Sequence, residues 1–201
     1  MISVAPHEKL YAPYFRCSFT AEPQSSARVL DLLAKRVPCP LTCDDNVRSE
    51  VRALLRYGGF KASGRSKPAS EYLEKAFQDG FLNPINAMVD CCNAVSLHSG
   101  LPISVIDLER TQGALKLEIV AEKQSYVFNP SGQELDLKGL ICLWDEQGPC
   151  ASPVKDSQRS KTQSDTRQTL CLIWGSQSLR SQVDAALALY QELLQDCGGH
   201  L

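Results

Sequence analysis

At Pro102 the hydrophobic pattern of the chain changes period. Before it, apolar residues recur at helical spacing: Val29, Leu30, Leu32 and Leu33 within 26–37, then Val47, Val51, Leu54 and Leu55 within 46–57. After it, 103–108, 115–121, 125–129 and 140–144 are short, partly alternating runs rich in strand-forming residues. Gly113, Pro130-Ser131-Gly132 and Gly139 stand between them as turn punctuation. Such segregation predicts an α+β fold with antiparallel strands and flanking helices.

The remaining elements follow from local chemistry. Residues 10–22 alternate and carry Tyr14, Phe15 and Phe19, which predicts a strand. Pro68 suits the first turn of a short helix to Ala76, and Asn83-Pro84 predicts a helix start, with Asn as cap and Pro in the first turn. That helix is expected to reach Ser99, where Gly100 stops it. Residues 147–168 are polar throughout and are expected as a loop. A buried strand over 169–174 and an amphipathic helix over 178–196 close the chain. With 201 residues, a single domain is expected: an N-terminal strand and helix (1–45), a core (46–175) and a C-terminal helix (176–201).

A net charge of −2 exerts no general pull on nucleic acid, so any RNA contact must come from a local basic patch. The first residues lack the basic and apolar regions of a secretory leader, and no apolar run is long enough to span a bilayer. Nine cysteines, an odd number at irregular positions and mainly in apolar surroundings, fit free thiols in a reducing cytoplasm. Cys39 and Cys43 have no partner pair at zinc spacing, so neither a metal nor another cofactor is expected. His98 ends a helix and reads as a surface residue favouring the dipole rather than a catalytic base, since no G-x-S-x-G or caspase-like signature accompanies it.

Two segments carry more chemistry. The run Gly58-Gly59-Phe60-Lys61-Ala62-Ser63-Gly64-Arg65 is not a P-loop. Its glycines still allow backbone N–H groups to approach a phosphate or oxyanion, and Lys61, Arg65 and Lys67 supply cations. The alternative is a turn with solvated charges. In the second segment Asn86, Asp90 and Asn93 share one helical face, either solvated or lining a wet pocket.

The run from Arg56 to Glu71, followed by Asn86-Ala87-Met88-Val89-Asp90-Cys91-Cys92-Asn93, Ser96 to Pro102 and then Asp107, resembles the B3/4 domain. This is the editing domain of the phenylalanyl-tRNA synthetase beta subunit. The likeness extends from Arg52 to Thr166, and N-x-x-V-D-x-x-N…S-x-x-x-G-x-P…D is its specific part. It implies a barrel-like β core with flanking helices, and a freestanding deacylase that cleaves the ester of a mischarged tRNA. The ester is activated, so oriented water and a stabilised oxyanion suffice.

The resemblance implies roles for particular residues. Asn86, Asp90 and Asn93 would shape the pocket and orient water; Gly59, Lys61, Gly64 and Arg65 would face phosphate or oxyanion. Glu71, Asp107 or Asp145 would receive the substrate ammonium. Lys67, Lys155, Arg159, Lys161 and Arg167 would face RNA. The implied partner is tRNA, not DNA or a membrane; the oligomeric state stays open. The family's histidine and glutamate find no secure counterpart here, so the rejected amino acid is either tyrosine-like, on phenylalanine tRNA, or an arginine mimic such as canavanine, on arginine tRNA. Two other readings stand beside this one: a noncatalytic tRNA- or amino-acid-binding module with the same fold, and a small hydrolase using a cysteine.

Overall fold

A computed structural model describes residues 2–201, with Arg65 described without its side chain. In chain order the strands and helices are β1 (Ser3–Val4), β2 (Leu10–Tyr11), β3 (Tyr14–Ser18), α1 (Ala27–Leu33), α2 (Asp45–Arg56), α3 (Ala69–Gln78), α4 (Ala87–Ser99), β4 (Ile103–Asp107), β5 (Lys116–Ile119), β6 (Ser125–Val127), β7 (Glu134–Asp136), β8 (Ile141–Asp145), β9 (Gly148–Ala151), β10 (Gln168–Ile173), β11 (Gly175–Ser176) and α5 (Arg180–Asp196).

The expected α+β class holds, with helices before the main run of strands. The strands make open sheets, not a closed barrel: a four-stranded sheet β1-β5-β8-β9, a three-stranded sheet β3-β10-β4, and the pairs β2-β11 and β6-β7. Pairing is antiparallel except between β1 and β5, which run parallel.

Alternation along β10 explains the layering. Cys171 and Ile173 face a core shared with Val29 of α1, Val95 of α4 and Leu193 of α5. Leu170 and Leu172 face the opposite way, onto Leu117 of β5 and Leu143 of β8. The three-stranded sheet is therefore buried on both faces, between helices on one side and the four-stranded sheet on the other. Residues 169–173 of its central strand are all buried, and so is the whole of β4.

The caps account for the helix boundaries. Ser26 caps α1, accepting from the Val29 N–H at 3.3 Å, and Asp44 caps α2, accepting from the Val47 N–H at 2.8 Å. Helix α4 starts later than its Asn-Pro signal suggests. Asn86 is the cap, at 3.0 Å from the Val89 N–H, and the Asp90 carboxylate takes the Ile85 N–H at 2.8 Å. That second bond holds Ile85 ahead of the helix. Gly100 ends α4 at φ 73°, in the left-handed region open to glycine.

Candidate functional site

Three segments distant in sequence meet beside the central sheet. Strand β4 brings Ser104, the connection after β9 brings Ser152 to Thr162, and the start of α4 brings Asn86. The Asp156 carboxylate is the centre of this cluster. Its Oδ1 accepts the Ser104 hydroxyl at 2.7 Å and the Ser152 N–H at 3.2 Å. No described residue donates to Oδ2. Burial raises the Asp156 carboxyl to about 6; the Ser104 hydroxyl, the Ser152 N–H and the Lys161 ammonium pull the other way without cancelling it. A carboxylate tuned to this range suits proton transfer near neutrality.

Around it the polar groups are tied down. The Lys161 ammonium donates to the Phe128 carbonyl at 2.6 Å, and burial lowers its pKa. The Tyr126 hydroxyl donates to the Lys155 carbonyl and lies 2.9 Å from the Ser152 hydroxyl. Asn86 Nδ2 reaches Thr162 Oγ1 at 3.4 Å, which joins the start of α4 to the same connection. Beside this inner cluster opens a cleft of about 550 Å³, lined by Ser66, Tyr72, Phe128, Leu135 and Lys155 among others. The Lys155 ammonium sits 3.9 Å from the centre of the Phe128 ring and 5.0 Å from that of Tyr72.

The residues singled out from the sequence fall into separate places. Asp90 is buried and accepts the Ser25 hydroxyl at 2.6 Å as well as the Ile85 N–H, so it fastens the entry to α4 against the N-terminal segment. Asn93 is half-buried further along the helix. Glu71 takes both its hydrogen bonds from Arg52, at 2.6 and 2.8 Å, on the side of α3 that faces α2. Asp107 is held by the Thr166 hydroxyl at 2.6 Å, the Glu109 N–H at 2.9 Å and Arg110 at 3.2 Å. Asp145 is closed off by Arg159 at 2.6 and 2.8 Å. Each of these three carboxylates thus has an internal cationic partner, and Asn86, Asp90 and Glu71 hold different partners: Thr162 and Val89, Ser25 and Ile85, and Arg52.

Among the expected phosphate- and RNA-facing groups, Lys61 and Lys67 are exposed, while the side chain of Arg65 lies outside the described residues. Lys161 and Arg159 point inward, and Arg167 donates to the carbonyls of Ser164 and Thr166, both at 2.9 Å. Gly59 and Gly64 have φ of 92° and 59° with open space where a Cβ would stand. The tight glycine of this run is Gly58, whose backbone crosses that of Gly139: a Cβ on Gly58 would meet the Gly139 carbonyl oxygen at 2.5 Å.

Ser104 and Asp156 escaped the sequence reading. Ser104 sits within a strand pattern and Asp156 within a stretch that reads as a polar connection. The available signal was the composition of β4, where a lone hydroxyl interrupts the apolar run Ile103-Ser104-Val105-Ile106. A polar side chain fully enclosed in a strand needs a partner, and here the partner is Asp156.

The B3/4 domain family model matches residues 55–183, well over half of the chain, and the chain belongs to that family. Among known proteins, the phenylalanine–tRNA ligase beta subunit of Bartonella henselae is 29% identical over 115 residues, which is 55% of this chain and 14% of that protein. This chain thus spans a small part of that relative. Among solved structures, an N-terminal fragment of the phenylalanyl-tRNA synthetase beta-subunit from Pyrococcus horikoshii superposes with a TM-score of 0.48 at 12% identity, covering 94% of this chain and 45% of that one.

Proposed function

We propose that this domain is an aminoacyl-tRNA deacylase of the cytoplasm, cleaving the ester between a wrong amino acid and the terminal ribose of tRNA. The observation that carries the reading is the extent of the B3/4 match: residues 55–183 take in Asn86, Ser104, Asp156, Lys161 and Thr162 together. The supporting geometry is a carboxyl raised by burial to about 6, next in sequence to Lys155, which lines a cleft with Tyr72 and Phe128.

In this reading the aminoacyl ester enters past Tyr72, Phe128 and Lys155. Asp156, as the carboxylate, accepts a proton from a water whose oxygen bonds to the ester carbonyl carbon. The Lys161 ammonium has three N–H donors and gives one to Phe128, so others are left to offset charge on the carbonyl oxygen. Collapse of the tetrahedral intermediate breaks the bond to the ribose oxygen. That oxygen takes up a proton, which the Asp156 carboxylic acid supplies. Asn86 and Thr162 stand at the edge of the cluster, where they would orient ribose hydroxyls.

The test is a panel of charged tRNAs: tyrosine on phenylalanine tRNA and canavanine on arginine tRNA, beside the correct pairs. Selective release from one mischarged pair, lost in Asp156→Asn, is the expected result. Binding of charged tRNA without release from any pair would replace the hydrolase with a noncatalytic binding module.

A further inference from the structure

Trp174 is fully buried, and its indole Nε1 lies 2.9 Å from Ser104 Oγ. An indole N–H can only donate. Ser104 Oγ must therefore accept from Trp174, and its one hydrogen is left for Asp156 Oδ1 at 2.7 Å. While Asp156 is ionised, the donor inventory sets the direction of both bonds. Among the described residues, the Ser104 hydroxyl and the Ser152 N–H both donate to Asp156 Oδ1. From those residues, then, the carboxylate takes its hydrogen bonds through Oδ1 and none through Oδ2.

We propose that Trp174 is a positioning residue of the site: its indole N–H fixes the rotation of the Ser104 hydroxyl, which holds Asp156 with Oδ2 turned to the reacting water. The proposal rests on the hydrolase reading for that water, and on geometry alone for the hold on Asp156. A phenylalanine would fill much of the same space but would leave the Ser104 hydroxyl free to rotate away.

Among the described residues, titratable groups that interact with Asp156 include Lys161, Tyr126, Cys92, Cys142 and Cys150. Burial raises the tyrosine and the three thiols, so they stay neutral where Asp156 titrates. Lys161 stays cationic there, its lowered pKa notwithstanding. Of these groups, Asp156 is the one whose charge changes near pH 6.

The experiment follows the Asp156 carboxyl by ¹³C NMR through its titration in the wild type, Trp174→Phe, Ser104→Ala and the double variant, with the pH profile of deacylation alongside. The Ser104 bond favours the charged carboxylate, so freeing it raises the midpoint. Expected is a rise of about half a pH unit in Trp174→Phe, the scale of one neutral hydrogen bond, with the acid limb of the rate profile moving equally. Trp174→Phe should add nothing in the Ser104→Ala background, because the tryptophan acts only through that hydroxyl. An equal rise in both backgrounds, or none in either, overturns the proposal.

Should Trp174→Phe fail to fold, the wild type still decides. The Trp174 indole N–H resonance, told from that of Trp144 by Trp144→Phe, should move with the Asp156 titration; a resonance that stays fixed overturns the proposal. Deacylation without this coupling would retire the role of Trp174 alone. Coupling without any deacylation would retire the hydrolase and the reacting water, leaving the hold on Asp156.

Discussion

Arg159 grips both oxygens of Asp145, with Nη1 2.8 Å from Oδ2 and Nη2 2.6 Å from Oδ1. The carboxylate has no exposed side-chain surface and also accepts the N–H groups of Gln112 and Gln147. Burial on its own would raise this carboxyl, but the Arg159 guanidinium and the two N–H groups outweigh it and hold its pKa below the ordinary value. Arg159→Ala leaves a buried charge without its counter-ion and should cost about 3–5 kcal/mol in urea unfolding. The exposed pair Arg28–Glu192 provides the contrast, and Arg28→Ala should cost under about 1 kcal/mol.

The two central carboxylates should give opposite pH dependences. Asp145 has a depressed folded pKa, so its contribution to stability is complete above the ordinary carboxylate range and is lost as pH falls through the folded value. Asp156 has a raised one, so between about 4 and about 6 the folded chain binds more proton than the unfolded chain and stability falls as pH rises. Asp156→Asn should abolish that decline while removing hydrolysis. Thermal melts of both proteins at pH 4.5 and 7.5 check it, and an unchanged pH slope in the variant would contradict the assignment.

The Gly58–Gly139 crossing should tolerate no side chain. Gly139 has φ 80°, and its added Cβ would lie 2.5 Å from the Gly58 carbonyl oxygen and 2.7 Å from the Phe60 nitrogen. Gly139→Ala combines backbone strain with a collision and should cost about 3 kcal/mol or more. Gly132 has a similar φ of 75° but open space, so Gly132→Ala should cost about 1–2 kcal/mol, from strain alone. Paired denaturation curves give the difference.

Thiol chemistry should be confined to the surface. Cys39 and Cys43 are partly exposed, whereas the other seven cysteines are buried. Brief alkylation of the native protein should label those two slowly, since burial raises both thiols, and should leave deacylation intact. Loss of activity on labelling would favour a cysteine nucleophile over Asp156.

Elements marked by period and by caps were legible in the sequence. The helices at Asp45–Arg56 and Ala69–Gln78 and the strand at Gln168–Ile173 lie within two residues of the boundaries their patterns predict. What could not be read depends on partners far along the chain. The two-residue β1 is a strand because β5, over a hundred positions later, supplies its ladder. Asn83 loses the cap to Asn86 because the Asp90 side chain folds back onto Ile85. The candidate site suffered most from this. Asp156 lies in a stretch whose composition is that of a solvated connection, and only the fold puts Ser104 against it. The carboxylates that the resemblance offered to the substrate ammonium (Glu71, Asp107 and Asp145) have internal partners of their own.

With just two tryptophans in the chain, the hydrogen bond from Trp174 to Ser104 has an optical consequence. The Trp144 indole lies half-buried at a sheet surface, bonded to the Glu118 carbonyl, while that of Trp174 stands two hydrogen bonds from Asp156. Emission from Trp174, isolated by Trp144→Phe, should therefore follow the charge state of that carboxylate. Under the proposed hydrolase reading, stopped flow on unlabelled protein would then time substrate arrival apart from any bond being broken.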